Sequence, residues 1–161
     1  MTKPDRATAV ASANWEELLA DVDAFATEYE DDGWETVAVH ARSAAVLDGR
    51  SGTDRYGLSA LAPEDEFERV EELVESGVTF DTSEVYSRRV GDVVLLIVAV
   101  EDHDRETAVV FPAYYERTDA DEMLAEAMDA GTMYTYVALR TGERVGFEHD
   151  DPSIFLPPNP E

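Results

Sequence analysis

The sequence of 161 residues contains no cysteine, and lysine is almost as scarce. A chain without cysteine has no disulfide bond, no thiolate nucleophile and no Cys-ligated zinc site. Lys3 is the only lysine, and every other basic residue is arginine. The HExxH zinc motif, the P-loop and the dinucleotide-binding fingerprint are missing too. These absences exclude the enzyme classes that depend on those residues at fixed spacing.

Long apolar segments are also missing. The longest apolar run, residues 93–100, is far too short to cross a bilayer, and no apolar signal-peptide core opens the chain. We therefore expect a cytoplasmic protein without membrane contact. A chain of this length can bury about 68 to 70 % of its unfolded surface, which is enough for one good core.

Acidic residues, in contrast, are abundant. The 37 Asp and Glu residues stand against 12 Lys and Arg, which gives a formal net charge of −25 at pH 7. The acids lie between apolar residues, so we expect them on the outer faces of folded elements. Such charge opposes folding in dilute buffer, but at molar salt the Debye length is only about 3 Å. The composition predicts a halophilic protein that holds K⁺ and hydration water at its carboxylates, with no other cofactor. An acidic protein from a low-salt organism is the alternative.

Apolar periodicity predicts three helices. Residues 14–31 carry an i, i+3, i+4, i+7 stripe, with Asn14 as N-cap and Gly33 as the stop. A second helix starts at Pro63 and ends at Gly77, and a third runs over residues 119–130, capped by Asp119. Residues 1–13 are small and polar, and we expect a disordered tail.

Six segments have strand character: residues 34–40, 80–90, 93–101, 107–115, 133–140 and 144–148. The predicted order is α β α β β β α β β, an α+β fold with three helices and a mainly antiparallel sheet of five or six strands. We expect one domain, residues 14–150, followed by a Pro-rich tail, residues 151–161. Residues 93–100 are apolar throughout, so both faces of that strand should be covered. If all helices pack on one face, the other face should be a dimer interface. Pro112 indicates an edge or a bulge.

Several short segments from residue 29 onward resemble a known family. They are Asp32-Gly33-Trp34, His40, Tyr56-Gly57-Leu58, Pro63-Glu64-Asp65-Glu66-Phe67, Phe80-Asp81, Glu84-Val85-Tyr86, Pro112-Ala113-Tyr114-Tyr115 and His149-Asp150-Asp151-Pro152. In these segments the chain resembles an uncharacterised family of small acidic proteins from haloarchaea. The resemblance implies a habitat and a common fold, and it assigns no functional residue.

The first candidate site is the glycine-rich loop at residues 48–57. The window 36–63 around it contains three Arg, two Asp and no Glu, whereas acids dominate the rest of the chain. Arg50 and Arg55 offer bidentate donors, and the glycines let backbone amides converge on an anion. We expect ligand or partner contacts from Arg42, Arg50, Arg55, Tyr56, Tyr114 and Tyr115. An ordinary loop whose arginines pair with nearby acids, with the tyrosines packing in the sheet, is the alternative.

The three histidines form the second candidate site. His103 and His149 lie at predicted strand ends beside acidic residues, and His40 is a third possible ligand. Imidazole and carboxylate together suit Zn, Mn or Fe, and a His paired with Asp can act as a general base. Ligand spacing of a defined metal motif is missing, so solvated turn histidines are the alternative.

Two further features concern partners. Direct nucleic-acid binding through Arg88-Arg89 and the other arginines is not expected, because phosphate binding needs a basic field. The apolar Ile154-Phe155-Leu156 segment needs a pocket, either on the protein's own body or on a partner or second subunit.

The function expected from the sequence is that of a non-enzymatic binding or protein-interaction module. Its partner is an unknown protein or a second copy of the chain, and its binding surface is the loop at residues 48–57. A metal-dependent enzyme with a His/Asp site and a small-ligand-binding protein are the alternatives.

Overall fold

Three α-helices and eight β-strands make up the described part of the fold. A computed structural model of the chain describes residues 6–47 and 56–158, with side chains described from residue 13 onward. The elements are α1 (Arg6–Asp31), β1 (Glu35–Ala38), β2 (Ser43–Leu47), β3 (Gly57–Leu61), α2 (Glu64–Glu75), β4 (Thr82–Val90), β5 (Val93–Asp102), β6 (Thr107–Glu116), α3 (Arg117–Ala130), β7 (Met133–Ala138), β8 (Arg144–His149) and a C-terminal 3₁₀ helix (Pro152–Phe155). In the described ranges, no helix has the length and apolar character needed to cross a membrane.

The first sheet has the strand order β1-β6-β5-β4. The three strands from β4 to β6 form an antiparallel meander, and β1 joins β6 in parallel. Every residue of β5 is buried, which confirms that both faces of this strand are covered. Val93, Leu95 and Ile97 face α1, and the alternate residues face the second sheet.

The second sheet has the order β2-β3-β7-β8, in which β3 and β7 are parallel. The prediction of one mainly antiparallel sheet with five or six strands is therefore wrong in detail, although the α+β class with three helices is confirmed. Two strands were missed, β2 and β3. Their Ser, Ala and Gly residues show little of the β-branched or aromatic character that marks strands.

The two sheets and α1 form three layers. α1 covers the outer face of the first sheet through Leu18 and Val22. The inner faces of both sheets share the main core, to which α2 contributes Phe67 and α3 contributes Met123. A dimer interface on the other sheet face was expected only if all helices packed on one face and left the other open, and that condition is not met, because the second sheet packs on that face.

Helix boundaries differ from the prediction at two N-termini. α1 begins at Arg6, so Asn14 lies inside the helix and does not cap it, and residues 6–13 are helical where a disordered tail was expected. α3 begins at Arg117, ahead of the predicted cap Asp119. α2 agrees with the prediction, since Pro63 is its N-cap and the helix ends just before Gly77.

Pro112 lies in the middle of β6, which is an interior strand of the first sheet. The ladder between β1 and β6 ends at Val110, so Pro112 lies beyond the last residue that pairs with β1. The missing amide hydrogen is tolerated because β6 is locally an edge at this point.

The apolar C-terminal segment packs on the body of the same chain. Pro152 and Phe155 are buried, and the Tyr115 hydroxyl donates a hydrogen bond of 2.6 Å to the Phe155 carbonyl. The two alternatives for this segment were a pocket on the protein's own body and a pocket on a partner or second subunit. The structure supports the first. The predicted Pro-rich tail thus begins with a docked helix.

Candidate functional site

An open cavity of about 330 Å³ lies where the acid-poor window meets the turn after β7. The window contributes Arg42, Leu61, Ala62 and Pro63, and the turn contributes Leu139, Arg140 and Thr141, with Glu64 and Glu143 completing the lining. Arg42 directly precedes β2, where its amide donates to the Leu61 carbonyl. Two arginines from distant parts of the sequence therefore line one cavity.

The two arginines of this cavity have no side-chain partner in the part of the chain that the structure describes. Among residues 13–47 and 56–158, neither Arg42 nor Arg140 has a side-chain hydrogen bond or ion pair. Of the two acids in the lining, Glu143 already accepts a hydrogen bond of 3.0 Å from the Thr141 hydroxyl. The cavity lining thus includes two arginines whose side chains have no partner among the described residues, in a protein whose net charge is −25.

The loop predicted to carry the site lies mostly outside the described residues, which exclude 48–55. The predicted site residues Arg50 and Arg55 fall there. Tyr56 follows directly and is buried, with its hydroxyl donating a hydrogen bond of 2.5 Å to the Thr132 carbonyl. Its ring packs edge-on against Tyr134 at 5.5 Å between centroids.

The structure places Tyr114 and Tyr115 on opposite faces of the first sheet. Tyr114 packs edge-on against Trp15 of α1, with ring centroids 6.0 Å apart. Tyr115 is buried between the sheets, and burial raises the pKa of its hydroxyl. The predicted tyrosines therefore do not share one binding surface, and Tyr56 and Tyr115 serve in the main core.

His40 joins two helices through a pair of carboxylates. Its Nδ1 lies 2.6 Å from Glu66 Oε2 on α2, and its Nε2 lies 2.7 Å from Asp23 Oδ1 on α1. The His40 amide also donates to Glu66 Oε1 at 2.6 Å. The Glu66 hydrogen bond, helped by Asp23 and opposed by burial, raises the pKa of His40. The protonated ring therefore stabilises the fold fully below about pH 6.5, and this contribution is lost as the pH rises through the raised pKa.

His149 is a core residue. Its ring is 2 % exposed and packs against Phe155, with centroids 4.9 Å apart. Nδ1 lies 2.9 Å from the Ser83 hydroxyl on β4, and Nε2 lies 2.7 Å from the Thr135 hydroxyl on β7. Burial lowers the pKa of His149 to about 4. The neutral ring thus bridges the two sheets.

His103 is exposed, and it lies in a polar cluster at one end of the first sheet. Its Nε2 is 3.5 Å from Glu101 Oε1, and its ring meets Trp34 edge-on. The buried Glu101 accepts a hydrogen bond of 2.6 Å from the Tyr29 hydroxyl, and burial together with this bond raises the pKa of Tyr29. Asp102 accepts from the Thr79 amide, which lowers the pKa of its carboxyl.

The three histidines therefore have separate surroundings instead of one shared site. His40 binds acids from two helices, His149 binds two hydroxyls in the core, and His103 lies beside one carboxylate. No cluster of three or more His, Asp or Glu suited to a metal ion occurs among the described residues.

Comparison with known proteins identifies a family. A family model described as a family of unknown function, DUF7529, matches residues 3–157. The chain belongs to the DUF7529 family. Neither the curated proteins nor the solved structures contain a match to it.

In this DUF7529 chain, sequence reasoning found one arginine of the cavity and missed the other. Arg42 was predicted as a binding residue because it lies in the acid-poor window. Arg140 lies almost a hundred residues later, in the Thr141-Gly142 turn, and no local pattern distinguishes it. The available signal was the predicted strand end at 133–140, but the pairing of that strand with β3 could not be read from the local sequence, because β3 itself was not predicted. The parallel pairing of β3 with β7 brings the two arginines to the same cavity.

Proposed function

We propose that this protein is a non-enzymatic binding protein whose cavity at Arg42 and Arg140 holds a small anionic group, a carboxylate or a phosphate. The group belongs to a small molecule or to a partner protein. The observation that carries the proposal is a pair of arginines that line one cavity and whose side chains have no partner among the described residues. Arginine offers a planar fork of donors that matches carboxylate and phosphate geometry.

The charge distribution supports this assignment. A protein with a net charge of −25 repels anions over most of its surface, so an anion site requires a local region without excess acid. The cavity lining has two arginines against two glutamates, and much of it comes from the acid-poor window.

The proposed working environment is molar salt in a haloarchaeal cytoplasm, as the composition and the family resemblance suggest. Long-range attraction is screened under these conditions. Direct bidentate hydrogen bonds are short-range, and they keep their geometric selectivity there. Arginine at the site is consistent with such conditions.

The proposal is tested by thermal unfolding in molar KCl with and without inorganic phosphate or succinate. We expect one of these probes to raise the melting temperature by about 5 to 10 °C at a hundredfold excess over its Kd. The double variant Arg42→Ala, Arg140→Ala should lose this rise. Arg89→Ala is the matched control, because Arg89 donates to the Gly91 carbonyl at a distant hairpin. An equal rise in the double variant, or no rise with either probe in the native protein, would refute the assignment.

A further inference from the structure

Strand β4 is an unprotected edge of the first sheet. Among the described strands it pairs only with β5, and that register runs without a bulge from Thr82 to Val90. Its nine residues include neither proline nor lysine. The other end strands, β1, β2 and β8, have four, five and six residues. Edge strands of this length are usually shielded, because their free N–H and C=O groups pair readily with another strand.

An apolar groove borders this edge on the α1 side. The groove has a volume of about 290 Å³, and its apolar lining comes from Leu18, Phe25, Leu95 and Ile97. Tyr86 of β4 stacks on Phe25 with ring centroids 4.4 Å apart, and the tyrosine remains 47 % exposed. Helix α1 therefore covers only about half of the Tyr86 side chain on the outermost strand, β4.

The charges on β4 are arranged symmetrically around Tyr86. Glu84, Tyr86 and Arg88 alternate along the strand and so share one face, the face on which Arg88 reaches Glu17 of α1 at 3.2 Å. In an antiparallel pair of identical strands centred on Tyr86, Glu84 of each strand lies opposite Arg88 of the other. Centring the pair on Glu84 would oppose two glutamates, and centring it on Arg88 would oppose two arginines. The charge pattern thus favours one register.

We propose that two copies of this chain associate through β4, in antiparallel register about Tyr86, so that their first sheets become continuous. The two Glu84–Arg88 cross-strand pairs select the register, and the two Tyr86 rings meet at the two-fold axis. Both α1 helices then lie on the same side of the joined sheet, and each groove is closed by the partner copy. Asp21 and Glu28 lie near the grooves of both copies, so association requires salt that screens their repulsion.

Light scattering coupled to size exclusion in molar KCl tests the proposal. The native protein is expected at twice 17.8 kDa. Glu84→Arg and Arg88→Glu should each weaken association about tenfold or more, because each places like charges opposite one another at two positions. Combining both substitutions restores the pairs and should restore the dimer. Arg89→Glu is the control, since residue 89 lies opposite Ser83 in this register.

The absence of native cysteine allows a second test of the register. Tyr86→Cys places one thiol from each copy next to the two-fold axis, at a separation that a disulfide can bridge after small adjustment. Mild oxidation should yield a covalent dimer for Tyr86→Cys and little for Arg89→Cys, whose two thiols would be about 20 Å apart. A native mass of 17.8 kDa at every concentration overturns the proposal. Equal crosslinking of Tyr86→Cys and Arg89→Cys overturns it as well. So does a dimer whose association is unchanged by both Glu84→Arg and Arg88→Glu.

Discussion

At the scale of single residues, the two histidines with shifted pKa values respond to pH in opposite directions. His149 is buried neutral between two hydroxyls, with its pKa lowered to about 4. His40 is held between two carboxylates, with its pKa raised and its side chain 40 % exposed. Because the exposed pair is screened by solvent, we expect the buried histidine to dominate the pH dependence of stability.

The first prediction concerns acid unfolding. Between pH 6.5 and about 4 the unfolded chain protonates His149 while the folded chain does not, so the free energy of unfolding falls as the pH falls. The loss from this residue should reach about 3 kcal/mol below pH 4. Urea unfolding in molar KCl at a series of pH values measures it. The variant His149→Gln should have a lower free energy of unfolding at pH 6.5, and this free energy should decrease less steeply between pH 6.5 and 4.

His103→Gln is the matched control for this experiment. His103 is exposed and contacts one carboxylate at 3.5 Å, so this variant replaces a histidine but keeps the buried His149 and the part of the pH dependence that His149 causes. An identical slope for the native protein and His149→Gln would show that His149 is not neutral in the folded state.

At the scale of elements, the pairing of β3 with β7 depends on one glycine. Gly57 begins β3 with a φ of 149°, and a Cβ at this position would overlap the backbone carbonyl of Tyr134 beside β3. The two strands run parallel from Leu58 opposite Thr135. Gly57 therefore allows the close backbone approach that joins the second sheet, and with it the cavity of Arg42 and Arg140.

The second prediction is that Gly57→Ala destabilises the protein by at least about 3 kcal/mol, because the new methyl group meets rigid backbone. Gly131→Ala is the comparison. Gly131 ends α3 with a φ of 74° and has open space around its Cα, so alanine there should cost only about 1 to 2 kcal/mol. Urea unfolding of both variants in molar KCl distinguishes them. A similar loss for the two would mean that β3 and β7 separate at little cost.

At the scale of the whole molecule, the net charge and the layered apolar packing have opposite effects on the stability of the folded state. The three layers bury two apolar clusters, one on each face of the first sheet, while the excess of 37 acidic residues over 12 basic ones causes repulsion between like charges. Mobile ions reduce this repulsion, and excluded salts strengthen apolar association. We expect the balance between these terms to set the salt concentration at which the protein folds.

The third prediction follows from that balance. Circular dichroism should show loss of secondary structure as KCl is lowered from molar to millimolar concentration, and recovery when KCl is restored. Glu68→Gln combined with Glu72→Gln should lower the KCl concentration at the midpoint, because these exposed acids lie one turn apart on α2 and repel each other. Full structure in millimolar salt would contradict the halophilic interpretation.

Local chemistry was enough to predict many elements of this fold. Some features depend only on the residues of their own segment: the apolar stripe of α1, the Pro63 and Gly77 boundaries of α2, and the continuous apolar run of β5. The meander from β4 to β6 was predictable for the same reason, since its turns are short and its neighbours are consecutive. The acid-poor window, and Arg42 within it, could likewise be read from composition.

Tertiary structure decided the features that join distant segments. β2 and β3 are strands because β7 provides a partner for β3, and their own residues barely indicate it. Arg140 and Arg42 line the same cavity because the parallel strands β3 and β7 end side by side. His149 is buried because Ser83 and Thr135 lie on either side of it. Sequence by itself determined the existence of the three helices, six of the eight described strands and the acidic character of the chain, because those properties depend mostly on near neighbours. Which side chains share a cavity depends on pairing across the chain, and only the folded molecule specifies that pairing.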